Sequence, residues 1–174
     1  MNDNDAVVPV WLRILQFPPI RLFLLGYPLF YCLGYSNAFM EQNKGNILPM
    51  IVAAMGMVAL AMWVYVGFAR FVERRSPSDL ALAPGIRELG IGMLVGSGLY
   101  TAGVLVLLAM GIMRIEGTNP VSVMLPAISM AISSGFLEEL LFRGALFRIV
   151  EEWLGSWISV VVSSVVFGAV HLMN

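Results

Sequence analysis

Residues 121–143 read VSVMLPAISMAISSGFLEELLFR: no charge from Val121 to Leu137, then Glu138, Glu139 and Arg143. About 20 mostly apolar residues are enough for a helix to cross the hydrocarbon, so this stretch reads as a membrane span with three ionisable groups at its end. Each such group at the centre of a bilayer costs about 2.5–3.5 kcal/mol on insertion scales. The three must therefore lie where that penalty fades, or pair around a wet cavity. Glu139 and Arg143 stand four apart with the acid first, the favourable order for an ion pair along one helical face. Glu138 is turned about 100° from Glu139 and cannot share that pairing equally. One carboxylate is bound up and the other is left over, and an unpaired carboxylate in a partly desolvated pocket suits general-base work.

The rest of the chain supports a membrane setting. Of its 174 residues, 59% are hydrophobic and 12% charged, against roughly 25% charged in a typical soluble domain. The expected fold class is all-α, a polytopic transmembrane bundle with about five spans, embedded in a lipid bilayer. The ten Lys and Arg are scattered, which leaves no basic footprint for nucleic acid. Cys32 is the only cysteine, so there is no disulfide framework, and it is expected to pack in a core.

The five candidate spans are about 22–40, 47–69, 89–113, 121–142 and 157–174. The first is interrupted by Pro28 and two glycines. Loop 70–88, RFVERRSPSDLALAPGIRE, is the one long polar connection; it reads as a topology anchor, with Ser78 capping a short interfacial helix. Lys and Arg concentrate on the cytoplasmic side of membrane proteins. A cytoplasmic N-terminus puts Arg13, Arg21, Arg70, Arg74, Arg75, Arg87, Arg143 and Arg148 inside, against Lys44 and Arg114 outside. The expected location is the cell membrane, multi-pass. The start, MNDNDAVVPVW, lacks the positive region of a cleaved signal peptide.

His171 is the only histidine. It stands four residues after Phe167, on one helical face, with Asn174 three further on. An ionisable group inside a membrane helix is a functional candidate by default. Its depth conflicts with that of Glu138, which lies only ten residues before Arg148. For the two to meet, the fourth helix must run on past Arg143 or the fifth must start later than Trp157.

These residues carry a resemblance. Glu138, Glu139 and Arg143 match the EExxxR motif, and Phe167 and His171 the FxxxH motif, of the CAAX-protease and bacteriocin-processing family of intramembrane endopeptidases. The resemblance covers about 130–174. It implies an N-terminal set of helices over 1–120, including loop 70–88, and the start of a catalytic domain over 121–174. It implies a helical bundle with a cavity open to the cytosol, in which Glu138 and His171 activate water while Glu139 and Arg143 orient the site. The implied substrate is a peptide or protein. The family is often labelled metalloprotease, which makes Zn²⁺ the candidate cofactor, with Glu138 and His171 as ligands if zinc is used. Catalytic zinc takes three protein ligands, and one histidine leaves that set short. A later family motif, a second histidine with Asn or Asp, has no match, so the resemblance implies a member lacking its C-terminal part. Two other readings stay open: a non-catalytic membrane protein giving bacteriocin self-immunity, and a proton-coupled transporter using Glu138, Arg143 and His171 as a relay.

Overall fold

The computed structural model describes residues 9–43, 45–80 and 82–172. Lys44 and Asn174, both used in the sequence reading, lie outside the described residues. The described structure is all-α. It divides into two compact units, one combining the residues up to Ser76 with those from Ser122 on, the other Pro77–Val121.

In the first unit a short helix α1 (Val10–Leu15) leads into α2 (Pro18–Gln42) and α3 (Ile47–Phe71). Pro18 opens α2 at a position whose N–H needs no helical partner. Pro28, expected to interrupt this segment, is accommodated inside a continuous helix, as helices packed in membranes allow. The α2–α3 turn is closed by the Asn43 side-chain amide, which donates to the Phe39 carbonyl at 2.8 Å.

The helix containing the 121–143 stretch departs most from expectation. After a 3₁₀ turn at Val121–Val123, α5 (Met124–Glu138) passes without a break into a π-helical segment (Glu139–Phe147) and then α6 (Arg148–Leu154). The apolar stretch Met124–Leu154 is one 31-residue rod, not a helix ending near residue 142. Gly155 stops it with φ +85°, a conformation open to glycine without penalty. The last helix, α7 (Ser156–Leu172), then turns back.

The second unit contains a 3₁₀ turn at Ser78–Leu80 and the long helix α4 (Leu82–Ala109). Ser78 therefore belongs to a 3₁₀ turn and caps no separate interfacial helix, and the long helix starts seven residues earlier than expected. It ends earlier too. Gly111, at φ +71°, donates to Leu108, and Ile112 to Leu107, which is the paired closure of a Schellman motif.

Among the described residues three helices are long and apolar enough to cross a membrane: Ile47–Phe71, Ile86–Ala109 and Met124–Leu154. The helix α2 has 25 residues and α7 has 17, and both fall in segments expected to span. Inside the first unit, Leu25, Leu29, Cys32, Leu33, Ser36 and Met40 form the buried stripe of α2, against Ala54, Ala61, Tyr65 and Ala69 of α3 and Ser133 and Leu137 of α5. Between helices in lipid, close van der Waals contact matters more than removal from water, and small residues permit it. The buried alanines and serines supply that closeness.

Candidate active site

The rod Met124–Leu154 and α7 form a hairpin about Gly155, and α7 packs against the π segment and α6. Phe142 and Phe167 meet edge to face across it, centroids 5.0 Å apart. One further turn from that contact, toward the open end of the hairpin, lie Glu138 on one arm and His171 on the other. The fourth helix runs on past Arg143 to Leu154, which is one of the two conditions the sequence sets for Glu138 and His171 to meet.

A cavity of about 630 Å³ lies along this hairpin, lined on one arm by Gly135, Glu138, Phe142 and Phe147 and on the other by Ser163 and Phe167. Glu139 and Arg143 also reach its wall. Arg143 binds Glu139 at 2.8 Å, and both side chains are well exposed, so the pair adds little to stability in water. Glu138 is half-buried and has no ion pair among the described residues. The structure thus separates the two carboxylates as helical geometry requires.

His171 is exposed and does not line the cavity itself. Its ring lies against Phe167 with centroids 4.1 Å apart. Nδ1 stands 2.9 Å from the Phe167 carbonyl oxygen. A carbonyl can only accept, so this bond requires the proton on Nδ1 and leaves Nε2 with its lone pair. No hydrogen bond or ion pair joins His171 to Glu138 among the described residues.

The donor set does not fit catalytic zinc. No group of three His, Cys, Asp or Glu side chains converges among the described residues, whereas such zinc sites use three protein ligands and a water.

The sequence reading overlooked a second polar centre. Glu73 was taken only as part of a polar loop, yet its side chain is 3% exposed and meets three arginines. Arg21 donates to it through Nε at 3.0 Å and through a shorter Nη2 contact. Arg75 Nε donates at 2.7 Å and Arg148 Nη2 at 2.9 Å. Glu152 joins from α6, binding Arg21 at 2.7 Å and Arg148 at 2.9 Å. Burial raises the Glu73 carboxyl pKa, but the hydrogen bonds from Arg21 and Arg75 and the charge of Arg148 outweigh it and hold the group below its ordinary range. Arg75 is two residues away, but Arg21 and Arg148 lie 52 and 75 residues away, so no local pattern marks the cluster.

Residues 120–174 match the family model described as Rce1-like, type II CAAX prenyl endopeptidase Rce1-like. The matched segment holds both the EExxxR and FxxxH residues. No curated protein and no solved structure matches the chain.

Proposed function

We propose that this chain is an intramembrane CAAX-type endopeptidase in which Glu138 and His171 activate the water that hydrolyses a peptide bond. The observation that carries the reading is the cavity that Glu138 and Phe167 line together, with Arg143 paired to Glu139 and His171 packed on Phe167. The family match over 120–174 gives it independent support.

In this mechanism a water sits between the Glu138 carboxylate and Nε2 of His171. One of them takes its proton as the oxygen attacks the scissile carbonyl carbon. The new C–O bond forms, the C–N bond breaks, and the proton passes to the leaving amine. Glu139 and Arg143 hold each other and orient the wall beside Glu138. The substrate is a peptide or protein segment entering the cavity from the membrane surface. The gathering of Arg21, Arg75 and Arg148 at one end of the first unit supports a cytoplasmic position for that end and for the N-terminus.

The test is cleavage of a CAAX reporter peptide by the membrane-embedded chain. Glu138→Gln and His171→Asn should each lower turnover by about 10²–10⁴, the usual range for positioned acid–base groups. Turnover equal to wild type in both variants would falsify the roles assigned here. Protection against a peptide toxin that survives both substitutions would favour the non-catalytic immunity reading instead.

A further inference from the structure

The π segment carrying Glu139 and Arg143 ends at Phe147, and its exit has an unusual partner arrangement. Where a π-helix gives way to an α-helix, the change from i→i−5 to i→i−4 bonding leaves one carbonyl without a backbone donor. At this exit the single backbone N–H of Arg148 is shared between the Arg143 and Ala145 carbonyls. The carbonyl between them, that of Gly144, accepts from Arg148 Nε at 2.8 Å and from the Tyr65 hydroxyl at 3.4 Å.

Both donors lead back to Glu73. Arg148 donates to Glu73 through Nη2. The Tyr65 hydroxyl accepts from Arg75 Nη2 at 3.0 Å, and Arg75 Nε is held by Glu73 at 2.7 Å. Gly144 itself lies close against Tyr65: a Cβ there would stand 3.0 Å from Cε2 of the ring. One buried carboxylate, on the turn after α3, therefore anchors both side chains that complete the π exit.

We propose that Glu73 and Arg148 are positioning residues, which hold the π segment in the register that keeps Glu138 on the cavity wall. If the Gly144 carbonyl loses its side-chain donors, the segment relaxes toward continuous α-helical bonding. A change of one residue in register turns everything before it by about 100°, enough to carry Glu138 away from the hairpin partner. The kinetic part of this inference rests on the endopeptidase reading; the conformational part does not.

The experiment uses the full chain in lipid nanodiscs with Glu73→Gln and Arg148→Lys. Lysine keeps the charge beside Glu73 but lacks the fork that reaches Glu73, Glu152 and the Gly144 carbonyl together. In both variants amide hydrogen exchange over 139–148 should quicken by about tenfold, the equivalent of roughly one hydrogen bond, while exchange over 25–40 in α2 stays as in wild type. Reporter kcat should fall by at least a similar factor, about tenfold, with KM unchanged. Unchanged exchange over 139–148, an equal rise in α2, or failure of both variants to fold would overturn the proposal, the last two by showing a general structural role. A wild-type chain that cleaves no reporter would defeat the endopeptidase reading, and the exchange data would still decide the positioning role.

Discussion

Phe142 and Phe167 meet edge to face at 5.0 Å, and this contact sets the register in which the two arms of the C-terminal hairpin lie. Phe142 follows Glu138 by one turn, and Phe167 precedes His171 by one turn. The ring contact thus lies about one turn from each of the two polar groups.

An edge-to-face pair contributes about 0.5–1.5 kcal/mol beyond simple burial. A double-mutant cycle with Phe142→Leu and Phe167→Leu should return a coupling of about that size in unfolding measurements. Additive losses would show that the rings do not set the register.

In its neutral form His171 should carry its proton on Nδ1, because that nitrogen donates to the Phe167 carbonyl. As the only histidine, it can be observed by ¹⁵N NMR of the histidine-labelled chain in bilayers. A dominant Nε2–H signal at neutral pH would contradict the assigned geometry.

Acid should destabilise the first unit through Glu73. Its folded pKa is below the unfolded value, so the folded state binds this proton less readily than the unfolded chain. The stabilisation is complete above the ordinary glutamate value, about pH 4.3, and disappears as pH falls through the lowered folded value. Thermal unfolding in detergent should lose stability over that window in wild type. In Glu73→Gln the same loss should be smaller, since the titrating group is gone.

Arg74 holds φ at +53° on the turn after α3, where a side chain crowds the backbone. It is exposed, so its removal sacrifices little packing. Arg74→Gly should raise unfolding stability by about 0.5–1 kcal/mol. A loss of stability would mean that the arginine side chain matters more than its backbone strain.

Much of this arrangement was legible in local sequence. Hydropathy marked where the long helices lie, and the four-residue spacing of Glu139 and Arg143 anticipated their ion pair. The same helical geometry singled out Glu138 as the carboxylate left over. Both inferences depend only on interactions within one turn, which the order of residues determines by itself. Helix ends were less accurate, although Gly111 and Gly155 carried usable stop signals at their positive φ angles.

The sequence by itself determined which segments become helices, which acid is paired, and that Phe167 and His171 share a face. Only the tertiary structure decided that the helix carrying Glu138 continues through a π segment to Leu154 before Gly155 turns the chain back. It alone disclosed Glu73 as the meeting point of Arg21, Arg75 and Arg148. Charges that are remote along the chain choose partners through helix packing, and no local periodicity records that choice.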